Sequence, residues 1–391
     1  MELWKNKTTR KQMTSSYIVF LINGMLALSI GSLLPFIRDA RGLEYAFCGM
    51  LVSLHSVGNF LSSFFAGTLA VTLGRKKSIL LFNAFFAIAY LLIVLGGNNV
   101  CLVLAFLMTG LARGATSNFC NATINSLAPG KVAVVNGLHA MFSVGAFLFP
   151  ILLTLLTAAN VDNWIYMGVF MLVMGILSWL LYATMPVDES IVKKKEGDQG
   201  TYAFFKEPMF ILCTASLFFY LCVEQGVIGW MVTYFKDTGL ISESLSQITA
   251  SVLWIMILAG RLTTAALSGK VKKGTLLRIM GVGLVLFFIV LMTTKTTFWI
   301  VVGIMGFGYS MAGIYPTVVS FAGHINQKYP MCWSFMLTMA SMGSILMPSI
   351  IGKIAEVAGI FYGMSSIVAV VIIDMVLILC LTGYMRKNGL E

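Results

Sequence analysis

The chain has 391 residues, 59% hydrophobic and only 10% charged, where a soluble domain carries about 25% charged residues. Mean hydropathy is +0.91, which excludes a soluble globular domain and points to an all-α integral membrane protein. The net charge of +11 would suit nucleic acid, but in a membrane protein Lys and Arg gather in cytoplasmic loops.

Apolar windows of about 20 residues, the length that crosses a bilayer, fall near 15–37, 46–71, 78–97, 100–127, 132–158, 163–185, 208–235, 245–268, 275–294, 297–322, 331–355 and 361–385. They predict twelve transmembrane helices with both termini on one side. The basic N-terminus resembles a signal peptide only at first sight: the apolar run has no small-residue cleavage site and continues to about Pro35, so it reads as the first span. With the termini inside, only Arg38, Arg41, Lys236, Lys295 and Lys353 lie outside, Arg113 and Arg261 lie within spans, and every other Lys or Arg is cytoplasmic. The positive-inside rule is satisfied, and no nucleic-acid partner is needed to explain the charge. The expected localisation is the cell (cytoplasmic) membrane, multi-pass, with the lipid bilayer as partner and the chain acting as a monomer.

The longest polar segment, 186–207, holds the Lys193-Lys194-Lys195 run with Asp188, Glu189, Glu196 and Asp198. It reads as a cytoplasmic linker between two six-helix halves, 1–185 and 208–391. The halves repeat: Ser143-x-Gly145-x-x-x-x-Pro150 in span 5 matches Ser341-x-Gly343-x-x-x-x-Pro348 in span 11. Parallel repeats of this kind place a solute at the bilayer midplane. The seven cysteines lie in or beside apolar runs with no C-x-x-C pair, so they read as packing residues; neither a disulfide framework nor a metal site is expected.

The loop after span 2, Gly67-Thr68-Leu69-Ala70-Val71-Thr72-Leu73-Gly74-Arg75-Lys76-Lys77, resembles the cytoplasmic signature of the major facilitator superfamily. Gly67, Gly74, Arg75 and Lys76 match, and Val71 stands where the signature has an acid. Asn136-Gly137-Leu138-His139 with Phe142 and Gly145 in span 5, and Phe219-Tyr220 with Glu224 and Trp230 in span 7, narrow the resemblance to the fucose-galactose-glucose:proton symporter family of sugar permeases. Gly110, Gly114 and Asn121 in span 4 and Gly260-Arg261 in span 8 agree with it. The resemblance implies the major facilitator fold and a sugar-like solute. Proton-coupled members usually carry an acid in span 4, where this chain offers Ser117 and Asn118, and no span of the first half contains an acid.

Charged groups at membrane depth are costly, roughly 2.5 to 3.5 kcal/mol each on insertion scales, and Arg113, Glu224, Arg261 and Asp374 are the candidates that must repay that cost. Glu224 follows Tyr220 by one helical turn, so the two share a face, and a carboxylate beside an aromatic ring suits sugar hydroxyls and the C–H face of the ring. A buried, protonated packing acid or a proton carrier is the other reading. His139 sits three residues after Asn136 on one face. Asn23, Asn118 and Asn121 supply neutral donor–acceptor groups, or interhelical glue worth about 0.6 kcal/mol. Trp230, Trp254 and Tyr315 are further substrate-binding candidates. Arg113 with Asp374 reads as a charged gate or coupling pair, Arg113 with Asp374 or Glu224 alternatively as a structural ion pair between halves, and Glu224 and Arg261 as coupling or gating residues.

No nucleotide-binding loop, H-E-x-x-H or G-x-S-x-G occurs, so an enzyme is not expected. The expected function is secondary active transport, in the uptake direction, of a monosaccharide or glycoside by alternating access. No cofactor is expected beyond a proton or sodium ion for coupling. A facilitative or sodium-coupled sugar carrier, or an exporter of drug-like or lipid solutes, is the alternative.

Overall fold

The computed structural model describes residues 6–128, 132–187, 202–267, 270–328 and 332–389. Most of the expected linker lies outside the described residues, as do the surroundings of Gly67 and the side chain of Asn136. Among the described residues thirteen α-helices follow one another: α1 Lys7–Arg41, α2 Tyr45–Leu73, α3 Arg75–Leu95, α4 Asn99–Leu127, α5 Val132–Thr157, α6 Trp164–Thr184, α7 Pro208–Thr238, α8 Glu243–Leu267, α9 Lys273–Thr293, α10 Thr297–Met311, α11 Ile314–Lys328, α12 Cys332–Ala358 and α13 Ile360–Lys387. Short 3-10 turns precede α6 and α7. Eleven stretches of the described residues are long and apolar enough to cross a membrane, and α2 adds 29 residues. Helix is the form that satisfies every backbone group inside lipid.

The tenth span departs from a single helix. It stops at Met311 and restarts at Ile314 as α11. Pro316 lacks the N–H that would bond the carbonyl of Ala312, and it is tolerated in the first turn of the new helix, where no such bond is required. The break sets Tyr315 at the start of α11.

Contacts divide the chain into two compact units, residues 1–40 with 54–196 and residues 41–53 with 197–391. In the first, α1 is buried along most of its length, and α3 packs on α4 and α6. Leu21 of α1 meets Gly145 of α5 so closely that a Cβ on Gly145 would stand 1.9 Å from the Leu21 carbonyl oxygen. Gly74, between α2 and α3, has φ +84, a left-handed value natural only to glycine. That turn delivers Arg75 and Lys76 inward. Arg75 is buried, donating to Thr123 at 3.3 Å and lying 4.8 Å over the Phe119 ring. Lys76 Nζ donates to the carbonyls of Tyr182 and Met185 at 2.6 and 2.5 Å, capping the end of α6 with a cation, where the helix dipole favours one.

In the second unit α7 is the hub, packed by α8, α11, α12 and α13. Gly343 of α12 plays toward α7 the part Gly145 plays toward α1: a Cβ there would stand 2.2 Å from the Phe218 carbonyl oxygen. Both glycines come from the repeated S-x-G-x-x-x-x-P stretch, and Pro348 of that stretch accepts the Trp230 indole N–H at 3.0 Å. The first turns of α2 belong to this unit. Glu356 accepts the Tyr45 backbone N–H at 2.7 Å and the Tyr45 hydroxyl donates to Asp237 at 2.8 Å. Ser53 and Ser349 share a hydrogen bond of 2.8 Å.

Candidate functional site

Each unit carries its own polar set. In the second unit, α7 holds Tyr220 and Glu224 one turn apart, and the Tyr220 hydroxyl donates to Glu224 Oε1 at 3.3 Å. The restart of the tenth span brings the Tyr315 ring to 5.9 Å from that of Tyr220, tilted by 49°. Tyr220 is 1% exposed while Glu224 and Tyr315 are half-buried. The half-buried Glu224 thus stands next to two aromatic rings. Arg261 stands exposed on α8. Trp254, also on α8, is buried.

Trp230 lies apart from this group in its surroundings. It is 0% exposed, its N–H is taken by Pro348, and its ring lies 6.1 Å from Tyr45. In this structure Trp230 is packed on all sides, with its N–H satisfied. Asp374 is likewise 0% exposed. Ser216 of α7 donates to its Oδ1 at 2.9 Å, and Oδ2 is buried with no hydrogen-bond partner among the described residues.

In the first unit, Asn23 of α1 donates from Nδ2 to Ser117 Oγ of α4 at 2.9 Å, and its buried Oδ1 has no hydrogen-bond partner among the described residues. Asn121 spends its amide on the Ser117 carbonyl, one turn back, at 2.8 Å. Asn118 is exposed on the same helix. His139 is exposed on α5 with the edge of its ring against Phe20, 5.5 Å between centroids.

Arg113 of α4 meets His55 of α2, Nη1 to Nε2 at 3.3 Å, and His55 Nδ1 meets Thr109 Oγ1 at 2.9 Å. Neither His55 nor Thr109 stands among the site residues the sequence singles out. Thr109 precedes Arg113 by one helical turn, and that spacing is the available signal. Arg113 and Asp374 thus each have a partner within their own unit.

A sequence model of the Major Facilitator Superfamily matches residues 16–329. The chain belongs to the Major Facilitator Superfamily. It is a multi-pass membrane transporter and not an enzyme. Among relatives in the superfamily, the glucose/mannose transporter GlcP of Bacillus subtilis is 22% identical over 359 residues, 86% of each chain. A TsgA homolog of Yersinia pseudotuberculosis is 21% identical over 398 residues, 98% of each chain. The fold matches the crystal structure of the nucleoside transporter NupG, with TM-score 0.76, 15% identity and coverage of 97% of this chain and 99% of that one. It also matches a D-xylose-proton symporter, with TM-score 0.76, 14% identity and coverage of 96% and 97%.

Proposed function

We propose that this superfamily member takes up a monosaccharide or glycoside by secondary active transport, across the cytoplasmic membrane and with both termini cytoplasmic. The observation that carries the reading is the Tyr220–Glu224–Tyr315 group: a half-buried carboxylate that accepts from one phenol, whose ring packs near a second. A carboxylate accepts two hydroxyl protons of a sugar strongly, while an aromatic face covers its C–H side. The first unit carries polar groups of its own, Asn118 and His139, both exposed. The glucose/mannose relative agrees with this solute class.

Coupling runs, in this reading, through an ion carried on Asp374, whose Oδ2 has room in its hydrogen bonding for one proton. The positive-inside distribution of Lys and Arg supports the orientation.

The reading is tested by thermal unfolding of the detergent-purified protein with a panel of D-glucose, D-mannose, D-xylose, L-fucose and uridine. A bound solute at one hundred times its Kd stabilises by about 2.7 kcal/mol. A stabilising shift with one or more sugars is expected. A shift with uridine alone would replace the sugar by a nucleoside, and no shift with any sugar contradicts the proposal.

A further inference from the structure

The hydrogen bonds around His55 fix both its charge and its tautomer. Arg113 has only donors to offer, since a guanidinium carries no acceptor, so at 3.3 Å from Arg113 Nη1 the His55 Nε2 atom must be bare. A neutral imidazole with Nε2 bare carries its proton on Nδ1, where it faces Thr109 Oγ1 at 2.9 Å. The Thr109 hydroxyl is free to accept there because its own proton goes to the Phe106 carbonyl at 2.6 Å. The relay reads in one direction, from Arg113 N–H to His55 to Thr109 to the backbone of α4. A cationic His55 would set N–H against N–H at its Nε2 and place two positive charges in contact.

The helices are built to hold this spacing. A Cβ on Gly110 would stand 1.9 Å from the His55 carbonyl oxygen, so only glycine lets α2 and α4 approach so closely. His55 is 2% exposed and cannot exchange Arg113 for water.

We propose that His55 is a positioning residue, a neutral, Nδ1-protonated imidazole that aims the Arg113 guanidinium from α4. Its consequence for transport follows from register. Ser117, which holds Asn23, is one turn after Arg113 on the same helix, so the aim of Arg113 and the polar group of the first unit are set from one face of α4. That consequence rests on the solute reading above; the tautomer does not.

The test is nitrogen NMR of the purified full chain labelled with 15N in histidine and arginine. There are 3 histidines, and the His55 signals are those lost in His55→Gln; the Arg113 signals are those lost in Arg113→Lys. The wild type is expected to show His55 with a protonated Nδ1 and a bare Nε2. In His55→Gln the side-chain oxygen takes the place of Nε2 and the Arg113 guanidinium signals persist as separate, slowly exchanging lines. His55→Asn keeps only the group facing Thr109, and there they are expected to average. A His55 protonated on Nε2, or Arg113 lines that are the same in wild type, His55→Gln and His55→Asn, overturns the proposal. No solute is present, so a failure of the sugar reading leaves this result standing.

Discussion

The Tyr220 hydroxyl donates to Glu224 Oε1 at 3.3 Å across one turn of α7. Removing the donor by Tyr220→Phe leaves the carboxylate in place with one partner fewer. A hydrogen bond to a charged group contributes about 1.5 to 3 kcal/mol, so the apparent affinity for sugar is expected to fall about tenfold to a hundredfold. A titration of the sugar-induced thermal shift measures it, and an unchanged affinity would detach the phenol from the solute.

Asp374 has one donor, Ser216, and a buried second oxygen. Asp374→Asn preserves the shape and the bond to Ser216 but cannot bind and release a proton. In proteoliposomes it is expected to keep equilibrium exchange of sugar and to lose accumulation driven by an imposed proton gradient. Accumulation at the wild-type level would remove Asp374 from coupling.

The seams at Gly145 and Gly343 leave no room for a methyl group against the Leu21 and Phe218 carbonyls. Gly145→Ala and Gly343→Ala are each expected to destabilise by roughly 1–3 kcal/mol, the usual cost of overpacking. Gly383→Ala is the control, since a Cβ there meets nothing within 4 Å. Thermal unfolding in one detergent compares the three, and equal melting temperatures would contradict the close-approach account.

Lys76 caps the end of α6 through the carbonyls of Tyr182 and Met185. Lys76→Met keeps the stem and loses the cap, with an expected cost of about 0.3–1 kcal/mol, the range for a cation at a helix C-terminus. The loop lacks the acid usual in the superfamily signature, Val71 taking its place. An effect on stability larger than on exchange is therefore expected, read from melting temperature and counterflow together.

Much of this arrangement was legible in the chain. The S-x-G-x-x-x-x-P repeat pointed to equivalent helices, and the structure gives its two glycines the same job against α1 and α7. The i, i+4 spacing of Tyr220 and Glu224 carried directly into a hydrogen bond, because a helix fixes that geometry. Other features depend on tertiary packing that spacing along the chain does not encode. Trp230 shares a helix with Glu224, yet the Pro348 carbonyl claims its N–H from α12. His55 reads as a lone apolar-face histidine until α4 brings Thr109 and Arg113 to it. The tenth span reads as one apolar run, 297–322, and its break before α11, which sets Tyr315 against Tyr220, shows only in the fold.

In the proposed function Glu224 is the carboxylate that holds the transported sugar. Counterflow of radiolabelled D-glucose in proteoliposomes, wild type beside Glu224→Gln, tests it most directly. Exchange in the wild type and loss of about a hundredfold or more in Glu224→Gln, with unchanged melting temperature, is the expected result. Equal exchange by both proteins would contradict it.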